Sequence, residues 1–525
     1  MQVLTADEIR AVEVREDEIG TKFLRLMEKA GTACARVLME QFSPDEGSVA
    51  VLCGKGKNGG DGFVIARKLR ENDYDVTCIL AFGEPTAADA IENYERAKEA
   101  GVPIVDFGPD LAFAEQAVAS AAVLVDCMFG IGFHGAASEE QAEVFDLINR
   151  SPGAVFSVDV PSGVDTDTGA VNGEAVCADL TLAITCLKPA HVLFPAREYC
   201  GQIQILDIDL LPESFEGVTP RIFVLSEGHA AALLPVRPRT AHKNDFGHLL
   251  SVCGSVRMPG AAGLCANAAV RTGAGLVTAA FPRSAYPSLA AHLTEAMLLP
   301  LPETADGKLS PEGLPLLRTY LRKATAVVCG CGLGTGSGPA AVVDDLIRGS
   351  RVPLLLDADA LNLVAEDPEV LKDARAPLVL TPHPGEFARL TGMTAEAIQA
   401  DRIGAARDFA ERYGVTLLLK GPDTIIAAAG KPAVCVNTTG NQALAKGGSG
   451  DTLSGIIGSL LAQGTDPFDA ACLGAYLHGK CAEAAVGYGE FSPASVTATD
   501  LIAQLPYVMA AEQPEQISTE FGINF

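Results

Sequence analysis

The sequence predicts an α/β protein built from two three-layer α/β domains. In both halves of the chain, short and continuously apolar segments alternate with helix-like stretches. Because these segments lack the polar alternation of a half-exposed strand, they indicate strands buried on both faces of a parallel sheet. The alternation weakens between the two halves, and 525 residues are enough for two or three domains.

The first half opens with a helix. Thr5 and Glu8 have the spacing of a capping box, and apolar residues then recur with helical periodicity. Further helices are predicted at residues 63–70 and 88–100. Six apolar segments are the predicted strands of this half, namely residues 49–53, 76–82, 122–128, 155–160, 180–185 and 203–208.

The second half repeats the alternation after a break at residues 211–243. A helix rich in small residues is predicted from Gly450 to Leu461. The predicted strands are residues 249–253, 276–280, 326–329, 353–356, 378–380, 416–419 and 424–428. We therefore expect a first domain at residues 1–212, a linker at 213–230, a second domain at 231–510 and a loose tail at 511–525.

Composition excludes several classes of partner. Lys and Arg number 39 against 66 Asp and Glu, which gives a net charge of −27. A body this acidic repels nucleic acid and anionic membranes, so neither is expected as a partner. We find no secretory signal at the N-terminus and no apolar segment long enough to span a bilayer. The 14 cysteines contain no C-x-x-C pair, so we expect reduced, buried thiols and a cytoplasmic protein.

A glycine-rich loop follows the first predicted strand. Residues 54–62 contain five glycines, which allow the backbone to take positive φ and a ligand to approach closely, before a helix that we expect to begin near Asp61. Such a helix N-terminus can bind an anion such as a pyrophosphate. The spacing is neither that of G-x-G-x-x-G nor that of a P-loop. Taken alone, the loop is also typical of a tight strand-to-helix turn.

Two acidic side chains follow later strands of the first half. Asp126 and Asp159 each stand where a predicted strand ends, and ligands bind at that edge of a parallel sheet. Asn58, Asp126 and Ser162 offer hard oxygen ligands from three loops and could hold a cation. Asp159 is then free to face the ligand and move protons. Each Asp taken alone is also typical of a turn or helix cap.

The second half carries a Gly-Gly-Ser-Gly-Asp segment at residues 447–451. The glycines precede a predicted helix, so its N-terminal N–H groups can stabilise phosphoryl charge. Asp451 stands where it can take a proton from an attacking hydroxyl. Residues 420–424 follow a strand and could face a nucleotide. Residues 355–362 carry two acids suited to a metal–phosphate region, and His383 lies between two prolines in a rigid loop.

The first half resembles the NAD(P)HX epimerase domain, also called the YjeF N-terminal domain, which has a Rossmann-like fold. The resemblance rests on residues 26–31, 56–62, 126–130 and 159–165. It implies a potassium ion on Asn58, Asp126 and Ser162, and Asp159 as a catalytic residue. Lys57 and Lys29 stand where the family usually has Asn. The implied substrate contacts are Lys57, Asn58, Gly59, Gly60, Asp61, Gly130, Ile131, Gly132, Phe133, His134, Gly135, Ala136 and Asp159.

The second half resembles the ADP/ATP-dependent NAD(P)HX dehydratase domain, which is ribokinase-like. Residues 242–248, 270–277 and 437–455 contribute to this resemblance. It implies that Asp451 is catalytic. The implied substrate contacts are Ala261, Gly334, His383 and Asp451, and the implied nucleotide contacts are Lys420, Gly421, Pro422, Asp423, Thr424 and Gly450. Cys331 stands where Pro is usual, and Lys446 where Thr is frequent.

Together the resemblances imply an enzyme that repairs hydrated NADH and NADPH. The first domain would interconvert the R and S epimers. The second would dehydrate the S form with ADP or ATP and Mg²⁺, releasing AMP or ADP and phosphate. The implied partners are these small molecules and other copies of the chain, without nucleic acid or membrane.

Three alternatives stay open at this point. The second half could be a ribokinase-like kinase of a vitamin precursor or sugar, because a glycine loop and an Asp serve both reactions. A stable phosphorylated product would mark that kinase. The first half could be a ligand-binding or scaffolding module without catalysis, or the acidic surface could serve a structural assembly.

Overall fold

The computed structural model describes residues 1–487 and 491–512. The chain divides into two compact units, Met1–Ile222 and Phe223–Phe525. This division falls inside the predicted break at residues 211–243. Among the described residues, none of the helices combines the length and apolar character that crossing a membrane requires.

The first unit is built on a seven-stranded sheet in which every pairing is parallel. Its order is β3-β2-β1-β4-β5-β6-β7. The order reverses between β1 and β4, and ligands bind at such a switch point. The strands are β1 (Val49–Cys53), β2 (Val76–Leu80), β3 (Ile104–Asp106), β4 (Val123–Cys127), β5 (Ala154–Val158), β6 (Leu180–Ile184) and β7 (Gln202–Leu206).

Helices cover both faces of this sheet, which confirms the three-layer α/β fold. Along β1, Val49 and Val51 pack into one apolar core, and Ala50 and Leu52 pack into another on the opposite face. The α-helices are α1 (Ala6–Ile19), α2 (Phe23–Gln41), α3 (Lys57–Glu71), α4 (Ala88–Glu99), α5 (Leu111–Ser120), α6 (Glu139–Asn149) and α7 (Ala196–Tyr199), with 3₁₀ turns at Pro44–Glu46, Pro189–His191 and Pro212–Phe215. The predicted capping box of α1 is confirmed, since Thr5 and Glu8 each accept from the other's backbone N–H.

The helix after the glycine loop begins earlier than predicted, at Lys57 and not near Asp61. None of the five glycines uses the positive φ that the residue allows. They allow close packing instead, because a Cβ at Gly59 would lie 1.9 Å from the Gly54 carbonyl oxygen. A Cβ at Gly62 would lie 2.7 Å from the Cys53 sulfur. The glycines therefore seat α3 directly on β1.

The second unit contains a mixed sheet. Nine of its strands follow the order β16-β15-β14-β13-β12-β11-β8-β9-β10. The pairs β14–β15 and β15–β16 are antiparallel, and the others are parallel. The strands are β8 (His248–Val252), β9 (Leu276–Pro282), β10 (Met297–Leu301), β11 (Ala326–Cys329), β12 (Leu354–Leu356), β13 (Leu378–Leu380), β14 (Thr416–Leu419), β15 (Thr424–Ala428) and β16 (Val434–Asn437). Two-residue strands also occur at Gln2–Val3 and Ile222–Phe223.

The helices of the second unit include a closely packed pair, α9 and α17. A Cβ at Gly455 of α17 would lie 2.2 Å from the Cys265 carbonyl oxygen of α9, so the glycine sets their separation. The α-helices are α8 (Glu227–Leu233), α9 (Pro259–Thr272), α10 (Tyr286–Ala290), α11 (Leu314–Leu321), α12 (Ser337–Gly349), α13 (Asp359–Val364), α14 (Pro384–Thr391), α15 (Ala395–Ala400), α16 (Arg402–Tyr413), α17 (Ser449–Ala462), α18 (Pro467–Gly487) and α19 (Ala498–Glu512), with 3₁₀ turns at Lys243–Phe246, Arg283–Ala285, Pro311–Gly313, Pro368–Asp373 and Gln442–Leu444.

All thirteen predicted strands are present within a few residues of their expected ends. The prediction omitted β3, β10 and β16, which are short or interrupted by proline or polar residues. The expected linker at residues 213–230 holds the end of a 3₁₀ turn and the beginning of α8. The expected tail lies outside the described residues except for residues 511 and 512, which end α19.

Candidate active sites

A cavity of about 580 Å³ opens at the carboxyl edge of the first unit's sheet. It adjoins the switch point between β1 and β4, where a ligand is expected. Helix α1 supplies one wall, and the start of α3 and the loops after β4, β5 and β6 supply the others. The lining residues are Ile9, Arg10, Glu13, Gly56, Lys57, Asn58, Asp61, Met128, Phe129, Gly130, Ile131, Gly132, Phe133, Asp159, Ile184, Thr185 and Lys188.

A buried ion pair joins Asp159 to Lys188 at the floor of this cavity. The Lys188 ammonium contacts the Asp159 carboxylate and donates to the Ile184 carbonyl oxygen. The side chain of Lys188 is 1 % exposed, and that of Asp159 is 12 % exposed. Asp159 also has a φ of +70°, which a non-glycine residue adopts only where its surroundings hold it.

His191 helps to stabilise this backbone conformation of Asp159. Its Nδ1 accepts from the backbone N–H of Lys188 at 3.0 Å, so its Nε2 carries the proton and donates to the Asp159 carbonyl oxygen at 2.8 Å. Burial, together with the nearby Lys188 charge, lowers the pKa of His191 to about 4. A neutral His191 therefore fixes the backbone that carries the Asp159 carboxylate.

Two further carboxyl groups face the same cavity. Burial, with the neighbouring charges of Asp159 and Glu13, raises the pKa of Asp61 well above its usual range. Burial also raises the pKa of Glu13, against the opposing effect of Lys57. The cavity thus combines an ion-paired carboxylate with carboxyl groups that hold their protons more tightly than usual. Such a combination suits proton transfer in both directions.

Lys57 stands beside this group. Its ammonium lies 3.6 Å from the Glu13 carboxylate and 4.2 Å from the centre of the Phe23 ring. The side chain remains 55 % exposed, so the charge is accessible from the cavity. A cation at this position can attract a phosphate oxygen of a ligand.

Asn58, Asp126 and Ser162 come together as the sequence predicts. The Asp126 carboxylate is fully buried and accepts from the Ser162 hydroxyl at 2.6 Å, the Ser162 N–H at 2.8 Å and the Ser157 hydroxyl at 2.9 Å. The Met128 N–H completes the set at 3.2 Å. All four donors are neutral, and burial raises the pKa of Asp126.

This environment fits a hard cation, monovalent or divalent. The Asn58 amide nitrogen donates to the carbonyl oxygens of Phe129 at 2.7 Å and Val158 at 3.3 Å. A half-turn of the amide presents its oxygen in the same place. The carbonyl oxygens of Phe129 and Val158, the Ser162 hydroxyl and the Asn58 amide oxygen then lie near the buried Asp126 carboxylate. The four groups that donate hydrogen bonds to Asp126 are neutral. Hard cations prefer such oxygen ligands.

The other predicted contacts of the first unit divide into two groups. Lys57, Asn58, Asp61, Asp159 and the loop from Gly130 to Phe133 line the cavity. Five predicted contacts do not belong to that lining, namely Gly59, Gly60, His134, Gly135 and Ala136. A Cβ at Gly60 would lie 2.4 Å from the Met27 sulfur, and the His134 ring contacts the Asp165 carboxylate at 3.1 Å.

The second unit contains a comparable ion pair at the carboxyl edge of its sheet. Asp357, just after β12, accepts from the Lys420 ammonium at 2.9 Å and from the Ser454 hydroxyl at 2.7 Å. Burial lowers the pKa of Lys420, but Asp357 and Glu386 together outweigh this effect, so the pKa is raised. A Cβ at Gly450 would lie 3.5 Å from the Lys420 nitrogen, so the start of α17 meets this pair.

Asp451 lies in the first turn of α17, beside the Lys420–Asp357 pair. Burial, followed by the negative charge of Asp357, raises the pKa of Asp451 to about 7. A carboxylate with that pKa is matched to accept a proton near neutral pH. The N-cap, Gly448, has a φ of +92°, a conformation that glycine adopts readily, and it leaves N–H groups at the helix start for an anion.

The predicted nucleotide loop, residues 420–424, is held by Arg402 of α16. One Arg402 nitrogen donates to the carbonyl oxygens of Leu419, Lys420 and Asp423 at 3.2–3.3 Å. Another lies 3.1 Å from the Asp423 carboxylate. A Cβ at Gly421 would lie 2.4 Å from the guanidinium, which explains the glycine. The Asp423 side chain thus stabilises the conformation of the loop.

The remaining predicted contacts have distinct partners. The Gly334 N–H donates to Asp359 at 2.8 Å. A Cβ at Gly332 would lie 2.7 Å from the Ala261 Cβ, which places the 329–336 loop against the start of α9. His383 caps α14, since its Nδ1 accepts from the Gly385 and Glu386 N–H groups. Its ring is 51 % exposed, and the opposite nitrogen remains near Glu386.

Sequence reasoning missed Glu13, Lys188, His191 and Arg402. Lys188 lies in the loop after β6, at the same edge of the sheet as Asp159, and this position was a usable signal. Glu13 and Arg402 lie on helices whose sequence gives no sign of the loops that they face. Their roles arise only from the packing of distant segments.

Family comparisons identify both halves of the chain. The model described as "NAD(P)H-hydrate dehydratase" matches residues 249–507, and that described as "YjeF-related protein N-terminus" matches residues 24–190. The "Bifunctional NAD(P)H-hydrate repair enzyme Nnr" of Moorella thermoacetica is 39 % identical over 97 % of this chain and 97 % of its own. The enzyme of the same name from Escherichia coli K12 is 35 % identical over 97 % of this chain and 94 % of its own.

A solved structure is similar to part of the chain. It is the ADP/ATP-dependent NAD(P)H-hydrate dehydratase from Bacillus subtilis, co-crystallized with ATP/Mg²⁺. The identity is 32 %, with 55 % of this chain and 98 % of that chain covered and a TM-score of 0.47.

Breaking the Asp159–Lys188 pair should destabilise the first unit. The Lys188→Met variant is expected to lose about 3–5 kcal/mol of unfolding free energy, because the substitution leaves a buried carboxylate without its counter-charge. Asp159→Asn combined with Lys188→Met should recover most of that loss. Chemical denaturation of the full chain measures both variants. A double variant as unstable as Lys188→Met alone would contradict the ion pair's role.

Proposed function

The chain belongs to the family of bifunctional NAD(P)H-hydrate repair enzymes, and we propose that each unit performs one half of the repair. The first unit epimerises R- and S-NAD(P)HX, and the second dehydrates S-NAD(P)HX to NAD(P)H with ADP or ATP. The observation that carries this proposal is the presence, in separate units, of two sites with different proton chemistry. One has a carboxylate paired with a buried lysine, and the other has a carboxyl group with a pKa of about 7 at a helix N-terminus.

Epimerisation inverts the hydroxyl-bearing carbon of the hydrated ring. The C–O bond breaks when the hydroxyl accepts a proton and leaves as water, and the adjacent ring nitrogen stabilises the resulting cation. Water then adds to either face of the ring and returns the proton. Asp159 faces the cavity with Lys188 against it, so it can exchange a proton while the ammonium stabilises its charged form. Asp61, whose pKa is raised well above its usual range by burial and by neighbouring charges, can act from the same cavity as a proton donor.

A potassium ion fits the first unit's oxygen-rich pocket. Asn58, Asp126 and Ser162 would hold it, and its positive charge would offset the buried Asp126 carboxylate beside the cavity. This assignment is supported by the oxygen donor set and by the four neutral hydrogen-bond donors around Asp126.

Dehydration requires a better leaving group than hydroxide. Asp451 takes the hydroxyl proton as the phosphoryl group moves from the nucleotide to that oxygen. The N–H groups at residues 447–450 stabilise the transferring charge. Elimination of phosphate, with transfer of a proton from the neighbouring ring carbon to the departing phosphate or to solvent, then restores the ring double bond. Lys420 and the loop that Arg402 holds would receive the nucleotide, with Mg²⁺ as part of this co-substrate to neutralise its phosphates.

We also propose the setting in which the chain works. All fourteen cysteines are free thiols, and only Cys177 is exposed. This state fits a reducing compartment such as the cytoplasm. The substrates are small molecules, and we expect a homo-oligomer.

Single substitutions should separate the two activities. Asp159→Asn should slow consumption of purified R-NADHX by about 10²-fold or more, because it removes the proton-transfer group. Dehydration of purified S-NADHX should persist in the same protein. Asp451→Asn should give the converse. Chromatographic resolution of the epimers and the return of NADH absorbance measure the two reactions.

Each variant is the folding control for the other, because both activities are measured on one chain. Unchanged epimerisation in Asp159→Asn would contradict the first assignment. A stable phosphorylated product from the wild-type chain, without NADH, would contradict the second and indicate a small-molecule kinase.

The pKa of Asp451 also predicts a pH profile. Dehydration at saturating Mg²⁺–nucleotide should fall about tenfold per pH unit below pH 7, because protonated Asp451 cannot accept the hydroxyl proton. Above that pH the rate should level. Initial rates with S-NADHX across this range test the expectation. A flat profile, or one shared by Asp451→Asn, would contradict the role of Asp451 as base.

A further inference from the structure

Three buried cysteines converge in the second unit. Cys253 follows β8, Cys265 lies within α9, and Cys331 lies in the loop after β11. Their sulfur atoms all lie within 4.8 Å of one another, and each residue is fully buried. They are far apart in sequence, so no cysteine spacing in the chain indicates this cluster.

The backbone around the three thiols is tightly connected. The Gly254 N–H donates to the Cys331 carbonyl oxygen at 2.8 Å, and the Cys253 N–H donates to the Ala280 carbonyl oxygen at 3.2 Å. The Cys265 carbonyl oxygen faces Gly455 so closely that a Cβ there would lie 2.2 Å away. Two strand ends and one helix therefore hold the thiols in a fixed arrangement.

The thiols also interact with one another and with polar groups. The Cys253 sulfur lies within 4.8 Å of the Cys265 sulfur and of the Cys331 sulfur. The Ser251 hydroxyl donates to the Cys265 sulfur at 3.6 Å. On the far side, the Cys331 sulfur lies 3.9 Å from the Asp357 carboxylate, and Asp451 is near the same thiol. The cluster thus lies directly beneath the carboxyl groups of the second unit's site.

We propose that Cys253, Cys265 and Cys331 form a three-thiolate site for a soft metal ion of the zinc or copper(I) class. Three sulfurs bonded to one metal at about 2.3 Å lie about 4 Å apart, so the cluster needs only a small contraction to bind. Sulfur ligands select soft ions over Mg²⁺, which prefers oxygen. This site is therefore distinct from the Mg²⁺–nucleotide chemistry and does not depend on the proposed function.

A second buried thiol pair provides a comparison. Cys435 and Cys472 are neighbours and are both buried. Among the described residues, however, only Cys253, Cys265 and Cys331 bring three possible metal-ligand atoms within 4.8 Å of one another. If buried cysteines served merely as small apolar side chains, both groups would behave alike toward a metal.

The test is metal binding by the full chain, reduced and stripped with a chelator. Cd²⁺ is added, and the ultraviolet sulfur-to-cadmium charge-transfer band is recorded. Zn²⁺ competition against a chromogenic chelator then gives the affinity. We expect one Cd²⁺ ion per chain and a charge-transfer band whose intensity corresponds to several cadmium–thiolate bonds. Cys265→Ala and Cys331→Ser should each abolish the band and weaken Zn²⁺ binding by more than about tenfold, whereas Cys435→Ala should retain both.

Circular dichroism establishes first that each variant is folded, and Cys331→Ser keeps the side-chain volume nearly constant. A wild-type chain that shows no band would overturn the proposal. So would a band of equal strength in Cys265→Ala and Cys331→Ser, or one that Cys435→Ala loses.

Discussion

Both sites depend on one geometric constraint, the common carboxyl edge of parallel strands. Strands that run in one direction end together, so loops distant in sequence meet there. In the first unit this edge joins the start of α3 to Asp126, Asp159 and Lys188. In the second it joins Asp357 to Lys420, with α17 beginning beside them. Reversal of either parallel pairing would scatter these groups to opposite ends of the unit.

The two units use the edge in similar ways. Each places a lysine against an aspartate, Lys188 with Asp159 and Lys420 with Asp357. Each then sets a second acid nearby whose pKa is raised, Asp61 in one unit and Asp451 in the other, with burial as the largest cause. The lysine stabilises the negative charge of its paired aspartate, and that charge disfavours a second negative charge on the nearby acid. The raised pKa suits Asp61 to donate a proton and suits Asp451 to accept one near neutral pH.

Much of this arrangement was predictable from the sequence. Continuous apolar segments identified thirteen strands, and polar residues at strand ends identified Asp126 and Asp159. The glycine-rich segment before a predicted helix identified Asp451. The glycines of residues 54–62 were harder to interpret. They do not adopt positive φ but let α3 approach β1, and this distinction depends on the neighbouring atoms. Arg402 and Glu13 were missed because helical periodicity says which face is exposed, not which distant loop that face meets. The three converging cysteines were missed for the same reason.

The presence of both sites on one chain has a kinetic consequence. Epimerisation alone restores no NADH, and dehydration alone consumes only the S form, so together they clear a mixed pool. The most direct measurement supplies the wild-type chain with mixed R- and S-NADHX, ADP or ATP and Mg²⁺, and follows reduced-nicotinamide absorbance. Recovery of the full pool, faster than spontaneous epimerisation, is the expected result. A plateau at the S fraction would contradict the claim that both units are active.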